Sequence, residues 1–138
     1  MPVTVDDVRR FVQTNHNAVL ATRRRDGGAQ LSPVTVGVDD DGSLIISTRE
    51  TAVKTGNLRR HPYAELCLLN DGFYGEWLQA AGSVTIQSLP EAMDGLVRYY
   101  RGIRGEHPDW EDYRAAMVRE RRVLVRLRIE RVGPTRSG

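Results

Sequence analysis

The 138-residue chain sets 20 Lys and Arg against 18 Asp and Glu, a formal net charge of +2, with 40% hydrophobic and 28% charged residues. This is the composition of a folded globular protein, not of a disordered one. No apolar run approaches the ~18 residues that a membrane-crossing helix needs, so no membrane partner is expected. Met1 to Arg10 carries acids and a helical pattern rather than a basic stretch followed by an apolar one. A secretory signal is therefore not expected, and cytoplasmic residence is the default expectation. Cys67 is the only cysteine, which excludes an internal disulfide and cysteine-only zinc sites. Within the apolar run Leu66–Leu69 it reads as a packed thiol. His16, His61 and His107 are scattered, without metal-ligand spacing, so no metal is expected. Basic residues gather at Arg23–Arg25, Arg49 to Arg60 and Arg119 to Arg131. So mild an excess fits a small anionic ligand better than nucleic acid, for which no motif is present.

The pattern reads as one continuous domain over residues 1–138, without repeats or linkers. Thr4 caps a first helix, with Asp7 in the capping-box position and Val5, Val8, Phe11 and Val12 on one face. Three strands follow: Ala18 to Arg24, Gln30 to Val38 and Leu44 to Thr48, parted by the turns Asp26-Gly27-Gly28 and Asp41-Gly42. A short helix, about Ala52 to Arg60, ends at His61-Pro62. Strands Tyr63 to Leu69 and Glu76 to Ser88 come next, the second so long that a bend is expected, at Gly82. Ser88-Leu89-Pro90-Glu91 reads as a capped helix start, followed by Met93, Leu96, Val97, Tyr100 and Ile103 at helical spacing up to Gly105. Asp109 opens another helix with Trp110, Tyr113 and Met117 on one face, and Val123 to Ile129 alternates as a last strand. The order α-β-β-β-α-β-β-α-α-β predicts a mainly β (α+β) fold, a small six-stranded antiparallel barrel with flanking helices. A Rossmann fold, with parallel strands and a glycine fingerprint, is not indicated.

The segment from Ile45 to Arg60 joins a strand to the short helix. If Thr51 caps that helix, Lys54 falls in its first turn, where a cation is unfavourable by roughly 0.3–1 kcal/mol when exposed. Glu50 can offset part of this. A bound phosphate would reverse the sign, since Lys54, free backbone N–H groups and the Ser47 and Thr48 hydroxyls would all point at it. The alternative is a solvated surface lysine. Arg59 and Arg60, at the helix C-terminus, need no ligand to explain them.

Several runs resemble a known family. Val19-Leu20-Ala21-Thr22, Gln30-Leu31-Ser32-Pro33-Val34 and Lys54-Thr55-Gly56-Asn57-Leu58-Arg59-Arg60 with Pro62 resemble the pyridoxamine-5′-phosphate-oxidase-like split β-barrels of flavin-reductase type. Tyr100 to Trp110, continuing through Tyr113-Arg114, Met117-Val118 and Arg121 to Leu124, is similar to the branch described as coenzyme F420-dependent. The resemblance covers nearly the whole chain in matching order. It implies a homodimer with the cofactor in a groove between subunits, and F420, a deazaflavin with a phosphate-containing tail, as that cofactor, with FMN as the alternative. By the resemblance, Lys54 and Asn57 hold the phosphate region beside Ser47 and Thr48, and Gln30, Ser32 and Pro33 border the deazaflavin ring. Where relatives tend to carry a further arginine just before the lysine, this chain has Ala52-Val53, with Arg49 slightly earlier.

Gln30 and Ser32 lie two apart and so share a strand face, where both can hydrogen-bond a heterocycle edge or simply face water. Trp77 can stack on a ring or line a substrate pocket; as an aromatic in a barrel strand it also fits the core, as do Tyr74 and Trp110. Arg126 and Arg128 share a face of the last strand and can meet a cofactor tail, a partner subunit or solvent. The expected function is an oxidoreductase passing a hydride from reduced F420 to a conjugated small-molecule substrate. An FMN-dependent enzyme of the same fold and a non-enzymatic cofactor carrier are the alternatives. The sequence shows no catalytic dyad or activated nucleophile, and no catalytic residue is assigned.

Overall fold

A computed structural model describes residues 2–72 and 74–134. Its elements, in chain order, are α1 (Val5–Thr14), β1 (Asn17–Arg23), β2 (Ala29–Thr35), β3 (Gly37–Val38), β4 (Leu44–Arg49), α2 (Val53–Arg60), β5 (Tyr63–Leu69), β6 (Trp77–Gln87), α3 (Met93–Arg104), α4 (Trp110–Arg119) and β7 (Arg122–Gly133). All strand pairs are antiparallel, in the order β2-β1-β5-β6-β7-β4-β3.

Seven strands replace the expected six because the run Gln30 to Val38 is two strands, not one. Its first part pairs with β1 and its last two residues pair with β4, at the far end of the sheet order. The chain changes partners at Val36, whose N–H donates to the His16 carbonyl (2.8 Å) and whose side chain is fully buried. Because β2 and β3 are consecutive in the chain yet stand at opposite edges, the sheet has to roll up on itself. The result is a barrel with a split along the β2 edge.

The inner face carries the larger core: Leu20, Leu44, Ile46, Leu66, Leu68, Val125 and Leu127, joined by Val8, Phe11 and Val12 of α1 and by Leu58 of α2. The capping box of α1 is present as read, with Thr4 Oγ1 accepting from the Asp7 N–H (3.1 Å) and the Thr4 N–H donating to Asp7 Oδ2 (2.9 Å). A second core lies outside the barrel, where α3 and α4 cover β4 and β7: Ile45, Ala92, Leu96, Val97, Tyr113, Met117 and Leu124. Gly95 lets α3 approach; a Cβ there would sit 2.5 Å from Leu124 Cδ2.

The bend at Gly82 is a register shift between β6 and β7 that leaves Glu130 of β7 without a strand partner. A Cβ on Gly82 would stand 1.7 Å from the Arg128 carbonyl oxygen. The helix expected to open at Ser88-Leu89-Pro90-Glu91 begins later. Residues 88–92 form turns, the Ala92 N–H donating to the Ser88 carbonyl and the Met93 N–H to that of Pro90, and Ala92 caps α3 without a side-chain bond. Tyr74, expected in the core, is 96% exposed. Among the described residues, no helix is long and apolar enough to cross a membrane.

Candidate functional site

A cleft of about 780 Å³ runs along the split, within the usual range for small-molecule sites. One wall is the outward face of β1 and β2, with Asn17, Val19, Pro33 and Thr35. The opposite wall comes from α3 and α4, with Tyr99, Tyr100, Ile103, Tyr113 and Met117. Ser47 and Thr48, at the end of β4, and Lys54 of α2 also line the cleft, as do the charged Arg104, Glu120 and Arg122. The lining thus holds three cations and one carboxylate. Glu120 is engaged by Arg122, which donates from Nε at 3.0 Å and sets Nη2 at 2.8 Å, and Arg49 approaches it to 3.9 Å.

The head of α2 differs from expectation. Ala52, not Thr51, is the N-cap, and it offers no side-chain bond. Thr55 is buried and its hydroxyl donates to the Arg49 carbonyl at 2.6 Å, tying the helix to the end of β4. Lys54 is the second residue of the helix, in a first turn without acids. Glu50, expected to offset it, is held instead by Arg59, whose Nη2 stands 2.7 Å from Oε1. Arg60 donates to the Arg23 carbonyl and to Asn57 Oδ1, so both arginines have structural partners. Among the described residues Lys54 forms no ion pair, and its charge adds to the positive end of the helix dipole. An anion in the cleft would meet both.

Of the residues singled out in the sequence, Pro33, Ser47, Thr48 and Lys54 line this one cleft. Gln30 and Ser32 do share a face, but the inner one. They pair with Thr22 and Leu20, both buried, and directly opposed residues project to the same side. Gln30 Oε1 accepts from the Thr22 hydroxyl (3.2 Å), while Ser32 Oγ is buried without a partner among the described residues. Asn57 is 6% exposed and its amide donates to Thr22 Oγ1 at 3.1 Å, riveting α2 to β1. Trp77 is half-buried at the start of β6, paired with Leu69 and outside the cleft lining. Arg126 turns onto Asp39 and Gln87, and Arg128 faces solvent.

The sequence places the aromatics of α3 and α4 at helical spacing and within the family resemblance, but names none of the wall's tyrosines as a site residue. The wall's polar tips were the available signal: a row ending in Tyr99, Tyr100 and Arg104 has more hydrogen-bonding ends than a buried stripe requires. Two of these hydroxyls are structural. Tyr99 donates to the Thr35 carbonyl (2.8 Å) and Tyr113 to the Leu96 carbonyl (2.7 Å). Burial pushes both phenols up, Tyr113 to about 12, so they remain neutral donors.

Comparison with known proteins fits this architecture. Residues 4–136 match the family described as pyridoxamine 5′-phosphate oxidase. The chain belongs to that family. Solved structures share its split barrel. A conserved hypothetical protein from Mycobacterium tuberculosis is 24% identical with a TM-score of 0.75, over 94% of this chain and 82% of that one. A structure named F420 reductase is 17% identical with a TM-score of 0.70, over 91% and 94%. A pyridoxamine 5′-phosphate oxidase-related, FMN binding protein from Nostoc punctiforme is 16% identical with a TM-score of 0.66, over 92% and 80%. At these identities the likeness is one of fold. Two of these family-fold proteins are thus named for a flavin-type cofactor, one for F420 and one for FMN.

Proposed function

We propose that this member of the pyridoxamine 5′-phosphate oxidase family is a coenzyme F420-dependent reductase, acting as a homodimer with the cofactor between subunits. The observation that carries the reading is the uncompensated Lys54 at the head of α2, in one cleft with Ser47 and Thr48. A phosphate there meets a cation, a helix N-terminus and a strand-end hydroxyl together. Pro33 would border the ring from the β2 wall. When bound, reduced F420 supplies a hydride from its C5 to an electron-poor conjugated acceptor. The chain's own part is to hold ring and acceptor in contact and to keep water from between them; the apolar lining from Val19, Ile103 and Met117 suits that task.

The dimer reading rests on the outward face of β2, β1 and β5. It presents Leu31, 63% exposed and paired with Ala21, next to the cross-strand row of Pro33, Val19 and Cys67. A second copy lying there would close the open side of the cleft.

Titration of the apo-protein with F420 and, separately, with FMN, followed by fluorescence, tests the cofactor. Micromolar-range binding with preference for F420 is expected, as is a dimer by sedimentation. Preference for FMN would move the protein to the FMN-dependent reading. F420 binding without turnover of any quinone, tetrapyrrole or enone would make it a carrier.

A further inference from the structure

A second cavity, of about 560 Å³, lies between α1, the β3–β4 turn and α3, and it too is large enough for a small molecule. It shares only Tyr99 with the cleft, and the Tyr99 hydroxyl is held by the Thr35 carbonyl at 2.8 Å. Val12, Val38 and Ile45 form its apolar lining. Gly102 keeps one wall open. This residue stands inside α3, one turn after Arg98 and on the same side of the helix. A Cβ added there would meet nothing within 4 Å, whereas Gly95 of the same helix is demanded by Leu124. Packing therefore does not call for glycine at 102, and glycine is a poor helix former. What its missing side chain preserves is space.

The lining sets two arginines against three aspartates. Both arginines already meet carboxylates. Arg98 donates to Asp39, which Arg126 also holds, and Arg9 donates to Asp6 at 3.2 Å and to the Gly42 carbonyl at 3.1 Å. Asp40 is exposed and forms no ion pair among the described residues. Asp41 accepts from the Ser43 N–H at 2.9 Å, and its other oxygen stands 3.7 Å from Arg126. The charge left over is therefore negative. His16 adds a neutral acceptor, because its Nδ1 lies 2.9 Å from the Val36 carbonyl. A carbonyl only accepts, so Nδ1 carries the proton and Nε2 of the neutral ring is a lone pair. Nε2 makes no hydrogen bond among the described residues and is not among the buried atoms left without one, so it is accessible.

We propose that this second cavity binds an organic ammonium ion with a short apolar body. Its charge is met by Asp40, and His16 Nε2 offers an acceptor to a second N–H or O–H group of the ligand. The body lies against Val12, Val38 and Ile45, in the room that Gly102 leaves. A bare metal ion is the poorer occupant, since among the described residues no group of three or more His, Cys, Asp or Glu side chains could hold one. A carboxylate ligand would face the like charges of Asp40 and Asp41. The site is separate from the cleft and does not depend on the cofactor reading.

Titration of the protein with phenethylammonium, and separately with phenylacetate, of like size and opposite charge, tests the site by amide-resolved NMR. Saturable shifts are expected with phenethylammonium at Gly37 to Gly42 and at Gly102, not at Ser47 or Lys54, and none with phenylacetate. Asp40→Asn should weaken the binding roughly tenfold or more, as for a lost charge-assisted contact. Gly102→Phe, which puts a ring into the open space, should abolish it while the melting temperature holds. No saturable shift with phenethylammonium, shifts centred on the cleft, equal binding of phenylacetate, or unchanged affinity in Asp40→Asn each overturns the proposal. Should Gly102→Phe fail to fold, the shift map and Asp40→Asn decide alone. No cofactor is added, so failure here leaves the reductase reading untouched.

Discussion

Arg126 of β7 places its Nη1 atom 2.8 Å from Oδ2 of Asp39, a carboxylate only 3% exposed in the turn between β3 and β4. Arg98 of α3 meets the same group from the other side, Nε to Oδ1 at 2.8 Å and Nη2 to Oδ2 at 3.1 Å. Three elements that frame the second core are thereby bound through one buried acid. Removing the charge leaves two guanidinium groups facing a neutral amide, so Asp39→Asn is expected to cost about 3 kcal/mol. Urea denaturation of variant and wild type measures it.

The same contact sets an acid limit. Burial alone would push the Asp39 carboxyl up, but hydrogen bonds from Arg98, the Asp40 backbone N–H and Arg126 outweigh it and bring it from 3.8 to about 2. A depressed carboxyl contributes stability above its unfolded value and loses it as pH falls toward the folded one. The stability gap between wild type and Asp39→Asn should hold above pH ~4 and close between pH ~4 and ~2. A gap unchanged at low pH would detach the effect from this titration.

Asn57 has an identifiable structural duty. With Asn57→Ala, Thr22 Oγ1 loses its buried donor and Arg60 an acceptor, a loss of about 1–3 kcal/mol. Thermal melts should show it without any cofactor present. An unchanged melting temperature together with weakened F420 binding would return Asn57 to the ligand.

Lys54 should behave in the opposite way. It is half-buried, on the cleft and without an ion pair among the described residues, so Lys54→Ala is expected to leave stability within about 0.5 kcal/mol of wild type. F420 affinity should fall roughly tenfold or more, as for a charge-assisted contact of about 1.5–3 kcal/mol. The wild-type affinity should also weaken with added salt, and the variant's less so.

Gly82→Ala tests the bulge. The added methyl would collide with the Arg128 carbonyl at 1.7 Å, a backbone atom that cannot rotate away. The β6–β7 ladder has to move, with a loss of at least ~2 kcal/mol, visible as a lower melting temperature.

Much of the fold was legible because short-range chemistry and hydrophobic period agree along it. Thr4 and Asp7 mark the start of α1, Asp41-Gly42 a hairpin turn and Gly82 the bend, each by local rules. Residues 30–38 misled, because alternation is continuous there and nothing in it says that the bonding partner changes at Val36. Thr51 and Ser88 misled for a related reason: a cap-forming residue type does not become a cap when Thr55 or a turn fixes the helix start further on. In the site, Lys54, Ser47, Thr48 and Pro33 were readable from strand-to-helix chemistry and the resemblance, and they do meet. The tyrosine wall was not, since whether an aromatic at helical spacing faces a core or a cleft depends on how α3 and α4 cross the sheet.

The passage of the chain through Val36 also governs the mechanics of the molecule. One residue ties the two margins of the rolled sheet, so at that end the seam is held by covalent bonds. Farther from this tether, toward Lys54, no strand pairing joins β2 to β4. The gap should therefore yield as jaws do about a pin, least beside Val36 and most at the mouth, which favours entry of a ligand's bulk from the open end.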